Sequence, residues 1–196
     1  MININDTRVI LASASPRRQE LLRLIFDSFE VIPADVDERV PQDLKITDAP
    51  RYLAELKCEH IAKSEADALV IGSDTGVFID GEMLGKPHNT QEALEMLKRL
   101  SGRTHDVITG CCVVYKGVKK SFACITKVKF KELTDNEIKE YINSKEPLDK
   151  AGAYGIQGKG ALFIEWINGD YYTVMGLPIN RLYCCVLEIL NELRAN

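Results

Sequence analysis

An α/β fold built on a mixed β-sheet follows from three features of the sequence. Short apolar runs such as Val9–Ala12 and Ala68–Gly72 alternate with amphipathic stretches early in the chain. Asp80-Gly81 and Asn168-Gly169 each separate two strand-like runs, the signature of a two-residue hairpin turn. Hairpin strands are antiparallel, whereas strands alternating with helices pair in parallel. The two together predict a mixed sheet in place of a doubly wound one. With 196 residues, 45% of them hydrophobic, the chain can bury a sizeable core as a single domain over 1–196 or as two closely packed lobes.

Taken in order, Val9-Ile10-Leu11-Ala12 predicts the first strand. Ser13-Ala14-Ser15-Pro16-Arg17-Arg18 predicts a tight, hydroxyl-rich turn into a helix. Ser15 suits the N-cap and Pro16 the first helical position, ahead of apolar Leu21, Leu22, Leu24 and Ile25. Phe29–Ile32 reads as a strand and leads into an acidic loop with Asp35, Asp37 and Glu38. Pro50 to Ala62 reads as a helix capped by Asp48, with Leu53, Leu56 and Ile61 on its apolar face and Lys57 inside that stripe. Ala68–Gly72 reads as a buried strand ending in Ser73-Asp74-Thr75, followed by a hairpin of Val77–Ile79 and Glu82–Leu84. Asn89 and Glu92 form a capping-box-like start to a helix through Leu100, with Gly102 just beyond.

Val107–Tyr115 reads as a strand. In Ile125–Lys131, Thr126, Val128 and Phe130 alternate with Lys127, Lys129 and Lys131, a half-buried strand with a wet lysine face. Thr134 and Glu137 form a capping box for another helix. Glu146 to Gly160 is a glycine-rich loop. Leu162–Ile167 and Tyr171–Met175 read as a second hairpin, with Trp166 and Tyr172 as core residues, and Pro178 opens a terminal amphipathic helix.

The formal net charge of −4 gives no reason to expect binding to nucleic-acid polymers. No apolar run approaches membrane-spanning length, and the first residues do not read as a signal peptide. The six cysteines are Cys58, Cys111, Cys112, Cys124, Cys184 and Cys185, none in a C-x-x-C pair, so zinc binding is not expected; the adjacent pairs Cys111-Cys112 and Cys184-Cys185, inside apolar runs, read as reduced core residues. A cytoplasmic protein is expected.

Arg17 and Arg18 oppose the dipole of the helix they open, so helix stability does not favour them. An anion held there by the arginines with Ser13 and Ser15 would explain them, phosphate above all; a solvated basic turn is the alternative. Asp74 follows a buried strand, where α/β sheets place catalytic groups, and Glu38 supplies a second carboxylate. Two carboxylates near a phosphate site suit Mg²⁺ or Mn²⁺; equally, Asp74 could form a turn and Glu38 be an exposed charge. Lys57 on a core-facing stripe needs a partner or a cleft, unless it snorkels to the rim. Lys86, stiffened by Pro87, either neutralises phosphate or is a loop charge. The run Gly155–Gly160 matches no P-loop, because a strand pattern follows it, yet it could admit a ligand closely, with Gln157 offering both a donor and an acceptor to a base edge. His60, His88 and His105 lack ligand spacing.

These motifs together resemble the Maf family of nucleoside triphosphate pyrophosphatases. Leu11-Ala12-Ser13-Ala14-Ser15-Pro16-Arg17-Arg18 is similar to the family's opening signature. Asp37-Glu38, Ser73-Asp74-Thr75, Gly85-Lys86-Pro87, Leu100-Ser101-Gly102, Asp149–Gly158 and Gly176-Leu177-Pro178 follow in the family's order. Cys58 departs from it, standing where a small alanine is usual.

The resemblance implies a curved mixed sheet in two lobes with a central cleft, similar to the inosine triphosphate pyrophosphatase (Maf/Ham1) architecture. It implies hydrolysis of a nucleoside triphosphate to monophosphate and pyrophosphate, with a divalent cation (Mg²⁺, Mn²⁺ or Co²⁺) as cofactor. The resemblance makes Asp74 the general base, Glu38 a metal carboxylate, and Lys57 and Lys86 charge stabilisers; Asp74 could also help Glu38 hold the metal, and the sequence leaves open whether base or ligand dominates. Arg17, Thr75 and Gln157 correspond to the specificity positions of the dTTP/UTP subfamily, in contrast to the 7-methyl-GTP subfamily. The family is linked to clearing non-standard nucleotides, modified pyrimidine triphosphates among them, and to arrest of cell division. A homodimer is compatible with it. The rival reading is a non-catalytic, nucleotide-sensing regulator of septum formation; the four residues Glu38, Lys57, Asp74 and Lys86 speak against it, since a binder has little need of carboxylates facing a polyphosphate.

Overall fold

The computed structural model describes residues 7–195. Among them, seven strands form one mixed sheet in the order β2-β1-β3-β5-β6-β7, with β4 bonded to β3 off that path. The strands are β1 (Val9–Leu11), β2 (Glu30–Val31), β3 (Leu69–Ile79), β4 (Glu82–Leu84), β5 (Thr104–Tyr115), β6 (Val118–Phe130) and β7 (Ile164–Asn168). The helices are α1 (Pro16–Leu22), α2 (Ala49–Ala62), α3 (Thr90–Leu100), α4 (Asp135–Asn143), α5 (Tyr171–Met175) and α6 (Ile179–Ala195). β1 pairs in parallel with β2 and β3, while β3–β4 and β6–β7 are antiparallel.

The chain forms two compact units. The first comprises the residues up to Asp74, Thr109–Cys124 and those from Gly176 onward; the second comprises Thr75–Ile108 and Ile125–Met175. In the first, Ile10, Ala12, Ala54, Cys58, Val70 and Cys112 build a core from β1, α2, β3 and β5. In the second, Leu84, Leu97, Leu100, Val107, Val128 and Phe130 pack with Ile138, Tyr141, Tyr154 and Phe163. Phe130 is fully buried, meeting Tyr154 edge-on with centroids 4.7 Å apart and His105 at 5.0 Å. Loss of a ring so enclosed typically costs about 3–5 kcal/mol.

Local signals act as their chemistry requires. Asp80 and Gly81 both have positive φ, 55° and 77°, as a type I′ turn demands. Thr134 and Glu137 make a complete capping box at the start of α4. Asn89 accepts from the Glu92 amide, but Glu92 Oε2 reaches back to the His88 amide at 2.9 Å, one residue beyond a true box. At α1 and α2, Ser15 and Asp48 stand at the N-cap without a side-chain capping bond.

Three expectations need correction. β3 does not stop at Ser73-Asp74-Thr75: its first part is laddered to β1 over Leu69–Ile71 and its last part to β4 over Val77–Ile79, so the strand is continuous and Asp74 lies in mid-strand. Tyr171–Met175 is not the return strand of a hairpin but helix α5. The Asp170 carboxylate accepts from the amides of Tyr172 and Thr173 and from the Thr173 hydroxyl, at 3.2, 3.0 and 3.0 Å. That cap outweighs the strand-like composition, and β7 pairs with β6 instead. Trp166 is not core; it is 46% exposed on edge strand β7.

Candidate active site

In the first unit, β1 delivers the chain into a turn whose hydroxyl Ser13 is buried. Ser13 Oγ accepts from the Ser15 amide at 3.3 Å and from Arg18 Nη1 at 3.1 Å, while Arg18 Nε donates to the Gly176 carbonyl at 2.9 Å. Arg18 thus braces the β1–α1 turn against the segment entering α6. Burial lowers its pKa from the ordinary value, and the nearby carboxylates of Asp74 and Glu38 oppose that shift. Arg17 lies half-buried in the first turn of α1. α1 has only seven residues, so the charge of the arginines outweighs its dipole as an attraction for an anion.

Lys57 resolves the puzzle of a lysine on a core-facing stripe. Its side chain is 11% exposed, and Nζ donates to Asp74 Oδ1 at 2.7 Å and pairs with Glu38 Oε1 at 3.1 Å. Both carboxylates therefore converge on one ammonium, Asp74 from β3 and Glu38 from the acidic loop. Asp74 is largely enclosed, at 16% exposed, whereas Glu38 is open to solvent at 54%. A buried lysine is costly without such partners.

Two glycines that sequence reasoning passed over make this cluster reachable. A Cβ on Gly72 of β3 would fall 2.4 Å from the Ala54 carbonyl oxygen, and one on Gly110 of β5 would fall 2.3 Å from the Arg51 amide nitrogen. Both atoms belong to α2. Helix and sheet therefore touch backbone to backbone, which brings Lys57 within reach of Asp74. Gly72 and Asp74 are two apart on β3 and share the face that α2 covers. Ser73, between them, points the other way; its buried Oγ lies 3.1 Å from the Gly110 carbonyl oxygen and 3.0 Å from that of Gly176. A glycine inside a strand pattern signals close backbone approach, and that signal was present at both positions.

The remaining expected site residues belong to the second unit. Thr75 follows Asp74 in β3. Lys86 is exposed in the turn after β4, where the Gly85 carbonyl accepts from the Gly152 amide at 3.0 Å. Gln157 is exposed in the turn Gly155–Gly158, closed by a Gly158 N to Gly155 O bond of 3.3 Å. The glycines of that loop make room for the chain's own side chains: a Cβ on Gly158 would lie 2.2 Å from Glu146 Oε1, and one on Gly155 would lie 2.6 Å from Lys150 Cε.

Among the described residues no group of three or more His, Cys, Asp or Glu is placed to hold a metal. Glu38 and Asp74 provide two hard oxygen donors at one locus. That fits a cation which takes one or two carboxylates and completes its shell with water and phosphate oxygens, as Mg²⁺ does.

The family profile described as Maf-like protein matches residues 8–189. A dTTP/UTP pyrophosphatase of Thermococcus onnurineus is 50% identical over 173 residues, covering 87% of this chain and 92% of that protein. One from Carboxydothermus hydrogenoformans is 50% identical over 182 residues, covering 90% and 95%. One from Bacillus cereus is 49% identical over 178 residues, covering 91% and 88%. The solved structure of a HAM1 protein from Coxiella burnetii superposes with a TM-score of 0.52 at 15% identity, over 93% of this chain and 99% of that one, a likeness of fold. With a family match spanning β1 to α6 and relatives at half identity over nearly their whole length, the chain belongs to the Maf-like protein family.

Proposed function

We propose that this protein hydrolyses dTTP and UTP between the α- and β-phosphates, releasing dTMP or UMP and pyrophosphate, and that its two units act as one Maf-like domain. The observation that carries this reading is the cluster in which Lys57 Nζ bridges Asp74 and Glu38. Its support is the half identity to proteins named for that activity. A divalent cation held by Glu38 and Asp74 would screen the polyphosphate and polarise the reacting phosphoryl oxygens. Asp74 takes the proton of the attacking water. Water oxygen then bonds to the α-phosphorus as the bond to the bridging oxygen breaks, and pyrophosphate departs with those electrons. Lys57, held at Asp74 by a 2.7 Å bond and paired with Glu38 at 3.1 Å, offers its remaining donor to phosphate oxygens as their charge builds. Arg17 and Lys86 supply further positive charge. Arg18, bonded to Ser13 and Gly176, supports the turn that carries Ser13 and Ser15.

Base choice falls to Gln157 with Thr75 and Arg17. Uracil and thymine present O4 beside N3–H, an acceptor next to a donor, which one side-chain amide can match. An unmatched buried polar edge costs about 1–3 kcal/mol, enough for tenfold discrimination. Modified pyrimidines that keep this edge are accepted too. All six cysteines are unbridged thiols, which suits a reducing cytoplasm. No helix among the described residues is long and apolar enough to cross a membrane.

A panel of dTTP, UTP, CTP, ATP, GTP and 7-methyl-GTP, with Mg²⁺ or Mn²⁺ and both products quantified, tests the proposal. dTTP and UTP should lead, with pyrophosphate and monophosphate in equal amounts. Preference for GTP or 7-methyl-GTP, release of orthophosphate, or nucleotide binding without turnover would overturn it.

A further inference from the structure

The Gln157 turn is moulded on a carboxylate that the catalytic reading leaves unused. Glu146 Oε2 accepts from the Lys159 amide at 3.0 Å, and Oε1 accepts from the Gly160 amide at 3.4 Å. The Tyr141 hydroxyl donates to Glu146 Oε1 at 2.9 Å and accepts from the Gly155 amide at 3.1 Å. One phenol–carboxylate pair therefore grips the backbone on both sides of Gln157. Glycines leave room for it: a Cβ on Gly158 would meet the Glu146 carboxylate at 2.2 Å, and one on Gly160 would meet the Gly155 carbonyl oxygen at 2.7 Å and the Tyr141 hydroxyl at 2.8 Å. Tyr141 is itself fixed, buried on α4 and edge-on to Phe163 with centroids 4.9 Å apart. Lys145, immediately before Glu146, takes the left-handed conformation at φ 62°, unfavourable for a residue with a side chain. Gln157 stands exposed on this braced turn.

We propose that Glu146 and Tyr141 are positioning residues that fix the Gln157 turn and so set how sharply the enzyme separates dTTP and UTP from other triphosphates. The inference rests on Gln157 reading the base. The physical ground is that a side-chain amide discriminates only if its donor and acceptor are held in place. A charged acceptor taking several backbone N–H bonds holds a loop more firmly than neutral contacts do. In Glu146→Gln, one terminal oxygen becomes an N–H group directed at a backbone N–H, so one anchor is lost. In Tyr141→Phe, the bridge to the Gly155 amide is lost.

The test is a cycle of kcat/KM values for dTTP, UTP, CTP and GTP in the parent, Glu146→Gln, Tyr141→Phe, Gln157→Ala, and each of the first two combined with Gln157→Ala. Thermal melting confirms that each variant is folded, and Tyr141→Phe carries the test should Glu146→Gln not fold. The ratio of dTTP to CTP should fall about tenfold in either single variant, the size of one lost hydrogen bond to a charged acceptor. The loss should show mainly in KM for dTTP. On the Gln157→Ala background neither substitution should change the ranking further, which a general loosening of the structure would not reproduce. If Gln157→Ala flattens the ranking while Glu146→Gln and Tyr141→Phe leave it intact, or if their effects simply add to that of Gln157→Ala, the positioning role is wrong. If Gln157→Ala itself leaves the ranking intact, base reading by Gln157 fails and the positioning role falls with it.

Discussion

At the scale of single residues, Asp74, Lys57 and Glu38 share one charge cluster but have separable roles. Asp74→Asn is nearly isosteric and removes the proton acceptor, so kcat should fall about 10²-fold or more while substrate binding survives. Turnover close to that of the parent would remove Asp74 from the chemistry. Glu38 is the more exposed carboxylate, and Glu38→Gln should shift the metal titration of activity to higher concentration. A titration that overlays the parent's would free Glu38 of any metal role. Lys57→Ala strips the ammonium from between two carboxylates. Its kcat/KM should drop for every nucleotide alike, because phosphate is common to all; a reordered base preference would place Lys57 at the base instead.

At the scale of elements, helix α2 is positioned by what β3 and β5 lack. Gly72→Ala would drive a methyl group to within 2.4 Å of the Ala54 carbonyl oxygen, a backbone atom with no rotamer to yield. The helix must shift or tilt, at a cost of about 1–3 kcal/mol. The same shift withdraws Lys57 from Asp74, so catalysis should suffer although no catalytic side chain has changed. Measured together, a lower melting temperature and a kcat/KM reduced by about tenfold or more are expected. A variant that melts earlier yet retains full activity would show that close helix–strand contact is not what places Lys57. The cap of α4 offers a contrast: Thr134→Ala should cost about 1 kcal/mol and leave turnover alone, since the box serves helix entry only.

At the scale of the whole molecule, two titrations make stability depend on pH in separable windows. His105 is buried against Phe130 and Tyr154, its Nε2 lying 2.8 Å from the Tyr154 hydroxyl, and its Nδ1 has no hydrogen-bond partner among the described residues. Burial holds its pKa down at about 4, Asp106 opposing, against 6.5 in an open chain. Between those values the unfolded chain binds a proton that the folded protein refuses. Stability therefore falls as pH drops from 6.5 towards 4 and this loss levels off below, at roughly 3 kcal/mol in all. Glu137 titrates in the other manner: its bond from Lys131, then its bonds from Thr134, depress it to about 2 from 4.5. Its contribution is present above 4.5 and lost as pH falls towards 2. Urea denaturation of His105→Gln across this range should lack the upper slope and keep the lower one. An unchanged slope above pH 4.5 would exonerate the imidazole.

Much of the fold was written in short-range chemistry. The Asp80-Gly81 turn, the Thr134 box, the alternation of Thr126, Val128 and Phe130, and the breaks at Pro16 and Pro178 each depend on a few neighbouring residues, and all stand in the structure. The ordered motifs from Leu11 to Pro178 likewise mark the family without any tertiary contact. Where local signals competed, the sequence misled. Tyr171–Met175 has strand-like residues, but Asp170 caps a helix there. Asp74 resembles a turn residue, but ladders on both flanks keep it in β3. The partners of Lys57, the close approach at Gly72 and Gly110, and the grip of Glu146 on the glycine loop were set by tertiary structure alone. Each joins residues far apart in the chain, 17 positions between Lys57 and Asp74 and 13 between Glu146 and Lys159. A single sequence carries periodicity and caps, which are properties of neighbours; which backbone can approach which, and which charge is left to meet another, is decided only once the elements are packed.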